Sequence, residues 1–316
     1  MTPATVATVG SRLLWAGFVV GVLVFLALDL GVFHRTLHAE KIRVALAWTA
    51  FWIALSLLFN VGVYFWFGPT KALEFLTGYV IEKALSVATL FVFLVIFSTF
   101  RVPAALQHRV LFYGVLGALV LRALFIGMGA ALIATFHWVL YVFGAFLIYT
   151  GAKLLSGSDG EVNPEHNILF RAFKRAVPAV SQYHGSRFWV RENGRYFATP
   201  LLVVLIAIES SDVIFAVDSI PAIFGITTDP FIVFTSNVFA ILGLRSLYFA
   251  LAGMMDRFHY LQTALAGVLL FIGAKMIAAR WYEVPIGYSL LVVLGLLAGG
   301  VLVSLARPKP ADTPAP

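Results

Sequence analysis

Residues 82–93 read EKALSVATLFVF, and residues 212–223 read DVIFAVDSIPAI. Each stretch opens on an acidic residue within a long apolar run, and the second carries another aspartate six residues later. Such acids are uncommon, because an ionised aspartate costs about 2.5–3.5 kcal/mol at the centre of a bilayer on the mildest scales. The two stretches therefore predict both a membrane fold and a functional site within it.

The composition is that of a membrane protein. Of 316 residues, 61% are hydrophobic and 12% are charged, whereas a soluble domain is about half apolar and a quarter charged. The mean hydropathy is +0.95. The net charge of +7 does not indicate nucleic-acid binding, because the basic residues lie between apolar runs and form no DNA-binding motif. The absence of cysteine excludes disulfides, thiolate metal sites and thiol redox chemistry.

Nine apolar runs are long enough to cross a bilayer, which takes about 20 helical residues. They cover residues 9–28, 44–66, 75–99, 110–128, 131–153, 199–221, 231–253, 260–279 and 286–305. We expect one polytopic membrane domain over 1–305, followed by a proline-rich, disordered tail at 306–316.

A polar loop, about 154–198, interrupts the apolar runs. Its stretch HNILFRAFKRAV (166–177) predicts a helix lying on the inner membrane surface. Its stretch RFWVRENGRYF (187–197) predicts a hairpin with a tight turn at Asn193-Gly194.

The distribution of lysine and arginine predicts the orientation. With the N-terminus outside, fifteen of these residues lie on the cytoplasmic side and four outside, and Lys83, Arg122 and Arg245 fall within spans. We therefore expect a multi-pass protein of the bacterial inner membrane with a cytoplasmic C-terminus. This asymmetry also explains the net positive charge.

The chain contains an internal repeat. Glu82 aligns with Asp212, Arg122 with Arg245, and Lys153 with Lys275, in the same order and at offsets of 130, 123 and 122. Repeat A, about 75–155, thus resembles repeat B, about 199–279. A shift of three spans is odd, so the second copy must cross the bilayer in the opposite direction. Inverted repeats of this kind are typical of secondary transporters, whose sites lie near the midplane where the copies meet.

Four acids lie within predicted spans and are the candidate metal ligands: Glu82, Glu209, Asp212 and Asp218. Glu209 and Asp212 share a helix face. Asp218 joins that face only if the helix unwinds near Pro221, and we expect such unwinding. The alternative is structural, with the acids forming ion pairs with Lys83, Arg122 and Arg245.

Further oxygen donors within spans are Asn60, Thr89, Ser219 and Asn237, although most such residues bond neighbouring helices. Oxygen ligands without thiols select hard cations such as magnesium, calcium or manganese. Carboxylates in a membrane can also carry protons.

Several strings closely resemble the TerC family, named for tellurium resistance and placed within the LysE-type transporter superfamily. They include FNVGVYFWFG (59–68), EFLTGYVIEKALSV (74–87), IESSDVIFAVDSIPAIFGIT (208–227) and DPFIVFTSNVFAILGLRSLYF (229–249). The resemblance covers about 29–305. It implies a membrane metal-ion transporter, chiefly a manganese exporter, with Glu82, Glu209, Asp212 and Asp218 as the metal site. Some members of the family are known as alkali-induced proteins and others for tellurite resistance.

One departure from the family pattern stands out. The family segment reads EK-x-LSVDNLFVF, but here Ala88-Thr89 replaces the Asp-Asn pair. Glu82 is thus half of an expected carboxylate pair, and the symmetry mate of Asp218 is missing. This change puts transport activity in doubt but leaves the fold untouched.

The sequence thus predicts an all-α integral membrane protein of about nine transmembrane helices with an inverted three-plus-three repeat. Its partners are a divalent metal ion, manganese foremost, and the lipid bilayer, and we expect no permanently bound cofactor and no enzymatic activity. The alternative function is a non-transporting structural or assembly factor of the membrane, linked to tellurite or alkaline-stress resistance.

Overall fold

The computed structural model describes residues 8–33, 42–156, 168–180, 182–192, 194–251, 260–282 and 284–306. Within these ranges the protein is helical apart from one short hairpin. The elements are α1 (Arg12–Phe33), α2 (Ile42–Thr99), α3 (Ala104–Thr135), α4 (Val139–Leu155), α5 (Ile168–Ala176), β1 (Trp189–Glu192), β2 (Arg195–Ala198), α6 (Pro200–Phe224), α7 (Pro230–Ile241), α8 (Leu244–Leu251), α9 (Leu261–Ala278) and α10 (Ile286–Ala306).

Helix α2 is two helices joined by a sharp reversal at Gly68. Gly68 has φ 88°, a backbone conformation that favours glycine, and Pro69 follows it. The rings of Phe59 and Phe75 lie 5.4 Å apart, although a straight helix would separate them by about 24 Å. The two parts of α2 therefore run back against each other and cover the second and third predicted spans.

A second break lies between α7 and α8, which meet at a bend of 41°. Gly243 occupies the break with φ 80°. A Cβ atom at this position would lie 2.5 Å from Cδ1 of Trp52, so both the backbone angle and the close approach of the indole require glycine.

The predicted unwinding near Pro221 is wrong. Helix α6 is continuous from Pro200 to Phe224 and contains Pro221 without a break. Proline lacks an N–H group, so the carbonyl of Val217 still loses its helical partner. The apolar packing of Ile220, Ala222 and Ile223, all buried, holds the surrounding turns in helical form.

Five helices of the described ranges are long and apolar enough to span a bilayer, or six if α7 and α8 form one bent span. They are α2, α3, α6, α9 and α10. Helices α1 and α4 have shorter apolar stretches within the described residues, at Arg12–Ala27 and Val139–Leu155. The protein is therefore an integral multi-pass helical membrane protein, and the predicted number of nine spans is not confirmed.

The core forms where the middle helices cross. Helix α4 packs most extensively on α9, α2 on α7, and α3 on α6. Close backbone approach marks the α4–α9 crossing: a Cβ on Gly144 would lie 3.0 Å from the carbonyl oxygen of Gly273, and a Cβ on Gly151 would lie 2.9 Å from that of Ala266. Small residues at such crossings let helices pack at short range in a membrane.

We predict that Gly273→Ala destabilises the α4–α9 crossing. The added Cβ would lie 2.6 Å from the carbonyl oxygen of Gly144 and 3.0 Å from the nitrogen of Ile148, and overpacking against backbone costs about 1–3 kcal/mol. Thermal unfolding in detergent should show a lower midpoint. Gly267→Ala on the same helix is the control, because its Cβ would meet only Leu296 at an ordinary 3.5 Å. Equal midpoints for both variants would contradict the prediction.

The loop contains the predicted hairpin and helix. Strands β1 and β2 pair antiparallel with Glu192 opposite Arg195, and Gly194 has φ 78°, which confirms the tight turn. Helix α5 packs against α6 and buries Phe170 completely. Tyr183 donates a 2.8 Å hydrogen bond to the carbonyl of Phe100, and its partial burial raises the pKa of its phenol. Part of the loop, 157–167, and the predicted tail beyond Ala306 lie outside the described residues.

Candidate functional site

Arg122 of α3 is the centre of the candidate site, and side chains from α2, α6 and α7 contact it. Its guanidinium forms an ion pair with Glu82 of α2. It also donates to Oδ1 of Asn237 on α7 at 2.6 Å, and to Oγ of Ser219 on α6 at 3.4 Å. Arg122 and Glu82 are buried, with Glu82 completely enclosed.

The local helix structure fixes these donors and acceptors. Asn237 donates its own amide to the carbonyl of Val233 at 3.0 Å, one turn earlier on α7. This bond leaves Oδ1 of Asn237 directed at Arg122. Asp229 caps α7 by accepting from the N–H of Phe231 at 3.1 Å, which stabilises the start of the helix that presents Asn237.

Two further acids extend the site along α6. Asp212 is buried and lies within electrostatic range of both Arg122 and Glu82. Glu209 lies one helical turn earlier, within electrostatic range of Asp212. A Cβ on Gly117 of α3 would overlap the Glu209 carboxylate, so Glu209 packs closely against α3.

Asp218 faces a different neighbour. It accepts a 3.3 Å hydrogen bond from Thr150 on α4, and it is only partly buried. Six residues separate Asp212 from Asp218, a rise of about 9 Å along a continuous helix. Because α6 does not unwind, the two side chains point to different sides of the helix.

The corresponding position in the first repeat also faces away from Arg122. Ala88 packs against an apolar cluster that α9 provides in large part, including Leu269 and Ile272. Thr89 donates to the carbonyl of Leu85 at 3.2 Å within its own helix. Asn60, on the first part of α2, has a buried Oδ1 with no hydrogen-bond partner among the described residues.

The structure thus brings Glu82, Asp212, Ser219 and Asn237 together around one arginine, with Glu209 at the edge of the group. Among the described residues, no three acidic or histidine side chains are grouped so as to hold a metal ion. Glu82 and Asp212 lie within electrostatic range of each other, whereas Asp218 accepts its hydrogen bond from Thr150 of α4. The assignment of these acids to a metal path stays a prediction.

Of the three bases named as structural partners, Arg122 forms an ion pair with Glu82. Lys83 donates instead to the carbonyl of Ala240 at 3.1 Å. Arg245 lines a small cavity with Trp52 and Phe112. Thr150, the partner of Asp218, was not predicted, and its place in the aligned string LIYTGAKLL was the signal that could have identified it.

The fold and the buried acids define an integral membrane protein with a charged site enclosed by the helices of both halves. The chain belongs to the TerC family: the sequence model described as "Integral membrane protein TerC family" matches residues 67–311. The proposed LysE-type superfamily placement stays a prediction.

Similar proteins are membrane proteins throughout. The chain is 53% identical to "Uncharacterized membrane protein STKORF319" of Myxococcus xanthus, over 98% of this chain and 97% of that protein. It is 51% identical to "Putative membrane-bound redox modulator Alx" of Escherichia coli K12, over 92% of this chain and 93% of that protein. It is 38% identical to "Uncharacterized membrane protein" of Rickettsia bellii, over 94% of this chain and 99% of that protein. No solved structure matches the chain.

Proposed function

We propose that this protein is a transporter that exports hard divalent cations, manganese foremost, from the cytoplasm in exchange for protons. The observation that carries the proposal is the pair of buried acids Glu82 and Asp212, on helices of both halves of the chain, with the partly buried Glu209 beside Asp212. Acids enclosed in a membrane protein are costly and typically mark ion or proton pathways.

Helix packing supports an inverted repeat. At the offset of 122 residues, Gly144 corresponds to Ala266 and Gly151 to Gly273. The contact of Gly144 with Gly273 is then the symmetry mate of the contact of Gly151 with Ala266. A pair of contacts that interchange in this way is expected of a two-fold axis between α4 and α9.

A second pair of contacts follows the same rule. A Cβ on Gly78 would lie 2.9 Å from Oγ of Ser236, and a Cβ on Gly114 would lie 3.3 Å from Ile208. At the offsets of 130 and 123, Gly78 corresponds to Ile208, and Ser236 to residue 113, one position from Gly114. Both pairs support the repeat from which we infer a transporter.

The proposed transport needs a change of conformation. Glu82 has no exposed surface, so an ion cannot reach it until the two repeats move relative to each other, as alternating access requires. We propose that the site then faces the cytoplasm and the outside in turn. The orientation, with the N-terminus outside and the C-terminus cytoplasmic in a bacterial inner membrane, is part of this proposal.

One observation favours the alternative, a membrane structural or assembly factor. Glu82 is paired with Arg122 in a contact that links α2 to α3, and such a pair can hold helices together without binding any substrate.

A redox role of the kind named for the Escherichia coli relative would work without thiols here, because the chain has no cysteine. Control of a redox-active cation such as manganese is one such route.

The test is divalent-cation flux in vesicles that contain the purified full chain. We expect uptake of Mn²⁺ driven by an opposed proton gradient, weaker uptake of the smaller and slowly dehydrating Mg²⁺, and none in empty vesicles. Uptake that is independent of the proton gradient would remove the exchange mechanism. No flux of any divalent cation in either direction would refute the proposed function and favour the assembly role.

A further inference from the structure

The guanidinium of Arg122 lies among oxygen donors that the sequence predicts for a transported cation. Three of its partners, Glu82, Ser219 and Asn237, are among the oxygen donors that the sequence predicts for the metal. The fourth, Asp212, acts on it through space. A cation supplied by the protein itself thus lies among the candidate ligands.

Arg122 and a bound metal ion would compete for the same oxygen atoms. A guanidinium stays charged in proteins and has five N–H donors that match carboxylate oxygens. A divalent ion needs the same lone pairs of Glu82 and Asn237. We expect the two cations to exclude each other, since like charges held by the same carboxylate and amide would repel.

We infer that Arg122 is a tethered counter-cation that holds the empty site closed and must leave Glu82 when the transported metal binds. This inference rests on the proposed function and adds a named residue to it. In the absence of metal Arg122 neutralises Glu82, so the enclosed site contains no unpaired Glu82 carboxylate, which would be costly. When the metal enters, its charge takes over that role.

The two halves of the chain differ at this point. Arg245 aligns with Arg122 in the repeat and is equally buried, but it lies on α8, beyond the break at Gly243, and lines a cavity with Trp52 and Phe112. The break in α7–α8 thus moves the second arginine out of the position that its mate holds. Arg245 is therefore a matched control for the loss of a buried arginine.

The experiment measures Mn²⁺ binding to the purified full chain in detergent by titration calorimetry. We expect Arg122→Gln to bind Mn²⁺ at least about tenfold more tightly than the wild type, because the competing charge is gone. Arg122→Lys should fall between the two, since its shorter, more strongly hydrated ammonium keeps the charge but replaces the guanidinium that contacts Glu82 and Asn237. Arg245→Gln should bind as the wild type does.

A second measurement separates competition from simple damage. In vesicles, Arg122→Gln should transport Mn²⁺ more slowly than the wild type despite its tighter binding, because release requires that binding be weak enough to leave. If Arg122→Gln does not fold, Arg122→Lys carries the test and must still bind more tightly than the wild type.

The outcomes distinguish the two proposals. A wild type that transports Mn²⁺ while the Arg122 variants bind it equally or more weakly would overturn the tethered-cation role alone. That result would leave Arg122 as a helix clamp within a working transporter. A wild type that neither binds nor transports any divalent cation would overturn the proposed function, and the role of Arg122 with it.

Discussion

Replacing Glu82 with glutamine is expected to abolish manganese transport and to destabilise the fold at the same time. The substitution removes the carboxylate that is paired with Arg122 and leaves a buried guanidinium without its closest counter-charge. Breaking a buried pair from one side costs about 3–5 kcal/mol, and Asp212 offsets part of that cost. Mn²⁺ flux in vesicles and thermal unfolding in detergent measure the two effects separately.

The double variant Glu82→Gln with Arg122→Gln identifies which effect matters for function. Removing both charges leaves no unpaired guanidinium, although Asp212 loses the favourable charge of Arg122, and removing a buried pair as a whole costs less than breaking it from one side. We expect the unfolding midpoint to return most of the way to that of the wild type while transport stays absent. If flux returned together with stability, the acid would serve only to hold α2 and α3 together, as the assembly-factor alternative requires.

Features that depend on composition and local sequence could be predicted without the structure. Long apolar runs give helices because a bilayer requires internal backbone hydrogen bonding, and α2, α3, α6, α9 and α10 lie where apolar runs predict them. The tight turn before Gly194 follows from local backbone preference. The grouping of Asp212 with Glu82 followed from the alignment of the two acidic stretches.

The helix breaks could not be predicted correctly, because they depend on packing between helices. Pro221 was expected to break α6, yet the helix continues through it, and the breaks occur at Gly68 and Gly243. At Gly243 the close approach of Trp52, nearly two hundred residues earlier in the chain, excludes a side chain. No local pattern reveals such a contact.

The partner of Glu82 likewise could not be predicted from the sequence. Lys83, Arg122 and Arg245 were equal candidates by composition, and Arg122 meets Glu82 because α2 and α3 both pack on α6 and α7. Because α6 is continuous, Asp218 lies against Thr150 of α4 and away from Asp212. The acids therefore lie in two separate groups on different sides of the helix.

The surroundings of Asp218 explain why residue 88 matters for the proposed metal site. Asp218 faces α4, and its repeat mate Ala88 packs against the apolar cluster formed largely by α9. Since α4 and α9 pack on each other, both positions lie against the same helix pair. An aspartate at position 88 would add a second carboxylate against this pair.

Restoring the family pair, Ala88→Asp with Thr89→Asn, is therefore expected to raise manganese efflux severalfold. An added carboxylate supplies charge and up to two donor oxygens, and the affinity of an oxygen site rises with the charge of its ligands. Glu209 does not compensate for the missing acid, because it packs against Gly117 of α3 rather than near α9. Efflux from cells loaded with manganese, at equal expression, measures the effect.

Ala84→Asp is the matched control for this change. Ala84 lies one turn before Ala88 and packs against the same apolar cluster, so it receives the same charge in similar surroundings but outside the family pattern. We expect this variant to lose stability and gain no efflux. Equal efflux from the restored pair and the wild type would mean that position 88 lies outside the pathway and that the repeat is no guide to the ligands. A gain confined to the restored pair would identify Asp218 and position 88 as parts of one metal site, in which this chain has only one of the two carboxylates.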